Sequence, residues 1–156
     1  KVVLNRAVLG LTPVAEAAKG VYRLRRAWGR SDGAVVLQGS EVAYAFLLQA
    51  LPRLVAAGIE LDVYYVASAE LFRTLPEREQ DEILPARVRS EAMGITGFTL
   101  PTIWSWLDSA RGRRASLHPL SRGFLGSGRA EDLLEQAGLD GASQYRQISR
   151  FFRGAP

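Results

Sequence analysis

The chain of 156 residues contains no cysteine, which excludes disulfides, thiolate nucleophiles and cysteine-ligated zinc. It has one histidine, His118, followed by Pro119, and no acid or nucleophile is tied to it by spacing. His118 therefore reads as a packed or surface residue rather than a general base. The Walker phosphate loop is absent, and the one Gly-x-Ser-x-Gly match, Gly29-Arg-Ser-Asp-Gly33, reads as a turn between two strands rather than the strand-to-helix elbow of serine hydrolases. No apolar run is long enough to span a bilayer, because Pro52 and Arg53 interrupt the longest one. No membrane partner and no signal peptide are expected, and the lack of cysteine suits a cytoplasmic location. Lys1 in place of Met leads to the expectation that the chain is part of a longer polypeptide.

What is present is a composition 47% hydrophobic over a length that suits one domain with a proper core. The net charge is +4, and most of the cations are arginine. Arg23, Arg25, Arg26 and Arg30 interleave with Tyr22 and Trp28, a pattern that could track a nucleic-acid backbone. An edge strand with snorkelling arginines accounts for the same residues, so no nucleic-acid partner is expected.

The stretch Gly33–Leu48 organises the rest. Gly33 to Gln38 reads as a short buried strand. Gly39 breaks it, Ser40 is expected to cap a helix, and Glu41 sits in the first turn, where a negative charge suits the dipole. An apolar helix follows to about Ala57, with Pro52 predicting a kink or a break. Ile59 to Val66 alternates as a second strand, which completes a βαβ unit. Gly20 to Trp28 precedes it as an arginine-bearing edge strand, behind a helical turn from Pro13 to Lys19. Further on come a short helix capped by Ser68, a charged surface segment from Leu75 to Leu84, and a strand at Arg87–Met93. A loop from Gly94 to Pro101 leads to a helix at Thr102–Ala110, a turn at Arg111–Arg114 and a last short strand at Ala115–His118. Two helices close the chain: Arg129–Ala137, ended by Gly138, and one capped by Ser143 with Tyr145, Ile148 and Phe152 inward.

Ligands of open α/β sheets sit at the carboxyl ends of strands. Gly39, Ser40, Glu41, Ser68 and Glu91 are the candidate crevice residues there. Glu41, Glu70 and Glu91 would form an acid/base pair or metal site if they shared that rim, and read as independent caps and solvated charges if they did not. Trp104 and Trp106, two apart, cannot both face inward on one helix, so they mark a candidate interface.

The order of segments resembles the C-terminal domain of the transketolase family. Lys19-Gly-Val-Tyr-Arg-Leu24, Val35-Val-Leu-Gln-Gly-Ser-Glu-Val42, Ser68-Ala-Glu-Leu-Phe72 and Leu84-Pro-Ala-Arg-Val-Arg-Ser-Glu-Ala92 are similar to that domain's motifs in sequence and spacing. So is the Gly123–Gly128 loop before Leu133-Leu134. The resemblance implies a three-layer α/β/α domain, residues 13–156, with a five-stranded, mostly parallel mixed sheet whose first strand is antiparallel. Residues 1–12 would be a linker or the end of a preceding domain. It also implies a structural and assembly role, with no catalytic, cofactor or metal residue in this chain. Catalysis would belong to upstream domains that bind thiamine diphosphate and a divalent metal between the subunits of a homodimer. The first segment is also similar to homodimeric pyruvate dehydrogenase E1 components, and a free-standing ligand- or partner-binding α/β module is the other alternative.

Overall fold

The structure is a computed structural model that describes residues 3–121, 123 and 125–154. Four strands form one sheet in the order β1-β3-β2-β4. They are β1 (Val21–Arg25), β2 (Gly33–Gln38), β3 (Leu61–Val66) and β4 (Met93–Thr96). β2 runs parallel to both β3 and β4, and β1 lies antiparallel along β3. The expected antiparallel first strand is therefore present, at the sheet edge.

Alternation along the strands divides the core in two. Val35, Leu37, Leu61, Val63 and Ile95 face one helical layer. Ala34, Val36, Tyr64 and Val66 face the other. The first layer contains α1 (Ser40–Ala45), α2 (Leu51–Ala56), α8 (Ala130–Ala137) and α9 (Gly141–Arg153). On the second side lie α3 (Ala69–Arg73), α4 (Glu77–Ile83) and α5 (Ala86–Glu91), and a 3₁₀ turn (Val14–Lys19) at the β1 edge sets Ala17 against the first core. The short helices α6 (Leu100–Trp104) and α7 (Ala110–Ala115) follow β4. Helices on both faces of the sheet give the three layers.

Between α1 and α2 the chain makes a π-helical turn, Phe46–Ala50, closed by the Leu51 amide on the Phe46 carbonyl. Pro52 has no amide proton, and its ring would crowd the carbonyl one turn back. The wider turn relieves both problems, so the expected interruption takes the form of a π bulge.

Several expectations are corrected. The sheet has four strands, not five. Ala115–His118 contributes only one bridge, Leu117 to Ile95, and its chain mate α7 occupies the expected turn at Arg111–Arg114. Arg87–Met93 is mostly helix, since Pro85 starts α5, and the strand begins only at Met93, the last of those residues, and runs on through Thr96 into the expected loop. The helix expected at Thr102–Ala110 stops at Trp104. Ser40 begins α1 without making a cap bond. Asp140, not Ser143, caps α9, through Oδ1 contacts of 2.9 Å and 3.0 Å from the amides of Ala142 and Ser143. Residues 3–12 lie against the outer edge of β1: Leu11 bridges Arg25, and Leu4 and Leu11 pack on the core. Lys1 and Val2 of the expected linker, and Phe124 of the Gly123–Gly128 loop, lie outside the described residues.

Candidate crevice at the carboxyl rim

Because β2 is flanked by β3 on one side and β4 on the other, the chain reverses direction across the sheet at its carboxyl end. Such a switch point opens a crevice. Gly39 follows β2 at that end with φ +110, in the region that favours glycine. A Cβ there would lie 3.3 Å from the Gly97 amide nitrogen and 3.7 Å from the Phe98 ring. The Gly97 amide donates to the Gln38 carbonyl at 2.8 Å, drawing the two loops together.

Gln38 is the residue that sequence reasoning missed. Its side-chain oxygen lies 3.1 Å from Thr96 Oγ1 and 2.9 Å from Thr102 Oγ1. One amide thus ties the ends of β2 and β4 to α6. A polar residue closing an otherwise apolar strand, immediately before the glycine, was the available signal.

The expected crevice residues are not gathered at one point. Ser40 lines an apolar groove of about 270 Å³ with Leu4, Leu11, Tyr44 and Tyr65. Burial raises the Tyr65 phenol above its ordinary pKa, and Tyr22, Glu41 and Tyr44 push the same way. Ser68 caps α3 by accepting from the Leu71 amide at 3.2 Å, and its hydroxyl lies 3.1 Å from Glu70 Oε2. The Glu70 backbone amide and the Ser68 hydroxyl hold the Glu70 carboxyl below the usual value. Glu91 precedes β4 and pairs with Arg87 at 3.3 Å, which places it at the amino end of the sheet. Glu41, Glu70 and Glu91 therefore do not share a rim, and among the described residues no three His, Asp or Glu side chains converge to hold a metal.

The two tryptophans separate, but not as faces of one helix, because α6 ends at Trp104 and Trp106 lies in the turn beyond it. Trp106 is 4% exposed and meets Phe72 edge-on at 5.5 Å, whereas Trp104 is 39% exposed. Phe98, on the same connection, is also exposed. His118 is half-buried, and its Nδ1 has no hydrogen-bond partner among the described residues.

Arg25 is 8% exposed and donates to the Glu60 carboxylate at 3.2 Å and the Leu61 carbonyl at 3.3 Å. It is committed to the fold, so the basic-aromatic stretch does not present a continuous row of open cations. A second concavity, about 400 Å³, lies between the 3₁₀ turn, β1 and α5. Its charges are matched: Lys19 with Glu16 at 2.8 Å, and Arg23 with Asp62 at 3.9 Å. Burial raises the Tyr64 phenol there, against the opposing pull of Arg23. Among the described residues, no helix is long and apolar enough to cross a membrane.

No protein-family profile and no curated protein sequence matches the chain. Solved structures do match. Transketolase from Leishmania mexicana superposes with a TM-score of 0.67 at 19% identity, over 93% of this chain and 20% of that one. A transketolase from Pichia stipitis, in complex with sedoheptulose 7-phosphate, gives 0.67 at 19% over 92% and 19%. The Campylobacter jejuni transketolase gives 0.64 at 20% over 88% and 20%. The chain spans about a fifth of the length of the transketolases it matches. At these identities the likeness is one of fold: the chain has the architecture of a single segment of transketolase, an extent consistent with its C-terminal domain.

Proposed function

We propose that this chain is the C-terminal domain of a thiamine-diphosphate-dependent, transketolase-like enzyme, serving assembly and packing while upstream domains perform catalysis. The observation that carries this reading is the extent of the structural match: nearly all of this chain against about a fifth of each transketolase. The order of the sequence motifs supports it independently. The enzyme is proposed to be a homodimer, with a divalent metal and thiamine diphosphate bound by the upstream domains. No catalytic step is assigned to this chain.

The test is the size of the native polypeptide, measured by mass after capture with an antibody against this domain. A product several times the 17.1 kDa of this chain is expected, carrying thiamine-dependent ketol transfer. A native product near that mass would overturn the proposal.

A further inference from the structure

At the end of the molecule away from the crevice, α9 and the end of α2 enclose a cleft of about 530 Å³, within the size range of ligand sites. Its walls include Ala57, Ile59, Tyr145, Ser149 and three arginines, Arg146, Arg150 and Arg153. Spacings of four and three put these arginines on one face of a thirteen-residue helix. Arg53, one turn before Ala57, is exposed on the neighbouring helix.

The charges of this region are segregated. Residues 42–59 and 141–156 contain no aspartate or glutamate. The ion pairs among the described residues lie elsewhere and include none of these four arginines. The two flanking carboxylates are already engaged. Asp140 caps α9, and Glu60 binds Arg25 and the Trp28 amide. Arg153 donates to the Gly58 carbonyl at 2.7 Å, which fixes its guanidinium at the cleft edge. Arg146 donates to Ser143 Oγ at 2.9 Å, while Arg150 has no such anchor among the described residues. Ser149 Oγ, in the cleft wall, is buried with no hydrogen-bond partner among the described residues.

A helix C-terminus favours cations, and that alone would explain one or two arginines in the last turn. It does not explain the acid-free opposite wall or the concavity, and Arg146 lies near the middle of the helix, where it also faces the Asp140 carboxylate across Ser143. We infer that this cleft binds the phosphate group of a small organic phosphate, with Arg146 and Arg150 as the forked donors and Tyr145, Ala57 and Ile59 against the organic body. Planar guanidinium groups match phosphate oxygens in pairs. The inference is independent of the proposed enzyme assignment.

The experiment titrates the ¹⁵N-labelled chain with inorganic phosphate and with glycerol 3-phosphate, following amide shifts. Saturable shifts confined to residues 57–59 and 146–154 are expected. The Arg146→Gln/Arg150→Gln double variant should bind at least about tenfold more weakly, as loss of charge-assisted bonds requires. Arg78→Gln, in a paired surface bridge, should bind as the wild type does. Tighter binding of the ester identifies an organic phosphate as the ligand, and equal binding identifies the phosphate group alone. Non-saturable shifts, or a double variant that binds normally, would overturn the inference. So would tighter, steeply salt-dependent binding of a single-stranded oligonucleotide, which would make the face a polyanion surface.

Discussion

Glycine inside a helix is a liability unless something needs the space its missing Cβ leaves. Gly112 lies within α7 and is buried, and a Cβ there would collide with the Ala92 carbonyl oxygen at the entrance to β4. In an exposed helix, Gly→Ala stabilises by about 1 kcal/mol. Here the sign should reverse. Gly112→Ala is expected to lower the urea midpoint, costing about 1–3 kcal/mol through overpacking, and an unchanged or raised midpoint would show that the α7–β4 contact is looser than described. The same scale explains what a string of arginines concealed. From spacing alone, Arg23 and Arg25 share one face of an edge strand. Spacing could not show that Arg25 is buried against Glu60, a residue thirty-five positions away in sequence.

Among the elements, α9 gives the clearest stability test, because one side chain holds its start. Burial pushes the Asp140 carboxyl up, but the Ser143 hydroxyl, the amides of Ser143 and Ala142, and then Arg146 outweigh it, so the net shift is downward. A lowered folded pKa means the cap's contribution is complete above the ordinary aspartate value and is lost as pH falls through the folded one. Asp140→Ala should therefore cost about 1 kcal/mol near neutrality. The gap to wild type should narrow on acidification, as read from urea midpoints across a pH series. A gap that stays constant with pH would mean that the helix start is held by something other than this carboxylate. Legibility also varied by element, for physical reasons. β2, β3 and the apolar helix between them were plain because six-residue buried strands and long apolar faces leave a strong period. β4 was misplaced because it has only four residues, with a glycine second, and the helix before it alternates like a strand. The fifth strand was overread because Leu117 makes its bridge with little neighbouring chain paired. The crevice glycine was legible, but Gln38, which ties the crevice together, was not, since its partners Thr96 and Thr102 come from a distant segment.

At the scale of the whole molecule, the question is which surface is complete and which expects company. Trp28, Trp104 and Trp106 report on different places: Trp28 is 85% exposed on the loop after β1, Trp106 is in the core, and Trp104 is partly open. If the chain is one domain of a longer dimeric enzyme, Trp104 is the residue whose environment should change between the isolated domain and the full polypeptide. Large aromatic side chains at a desolvated contact dominate binding energy, whereas a scattered surface aromatic contributes little. A protein carrying Trp28→Phe and Trp106→Phe leaves Trp104 as the sole reporter within this domain. In the isolated domain its emission should be quenched readily by iodide. In the full polypeptide, once tryptophans of other domains are replaced, it should be shielded. Trp104→Ala should then leave the isolated domain's stability nearly unchanged, within about 1 kcal/mol, while lowering the concentration stability of the dimer as measured by sedimentation equilibrium. Equal quenching in both contexts, with an unaffected dimer, would place the assembly contact elsewhere on this domain. The exposed Leu71 and Phe98 would then be the next residues to test.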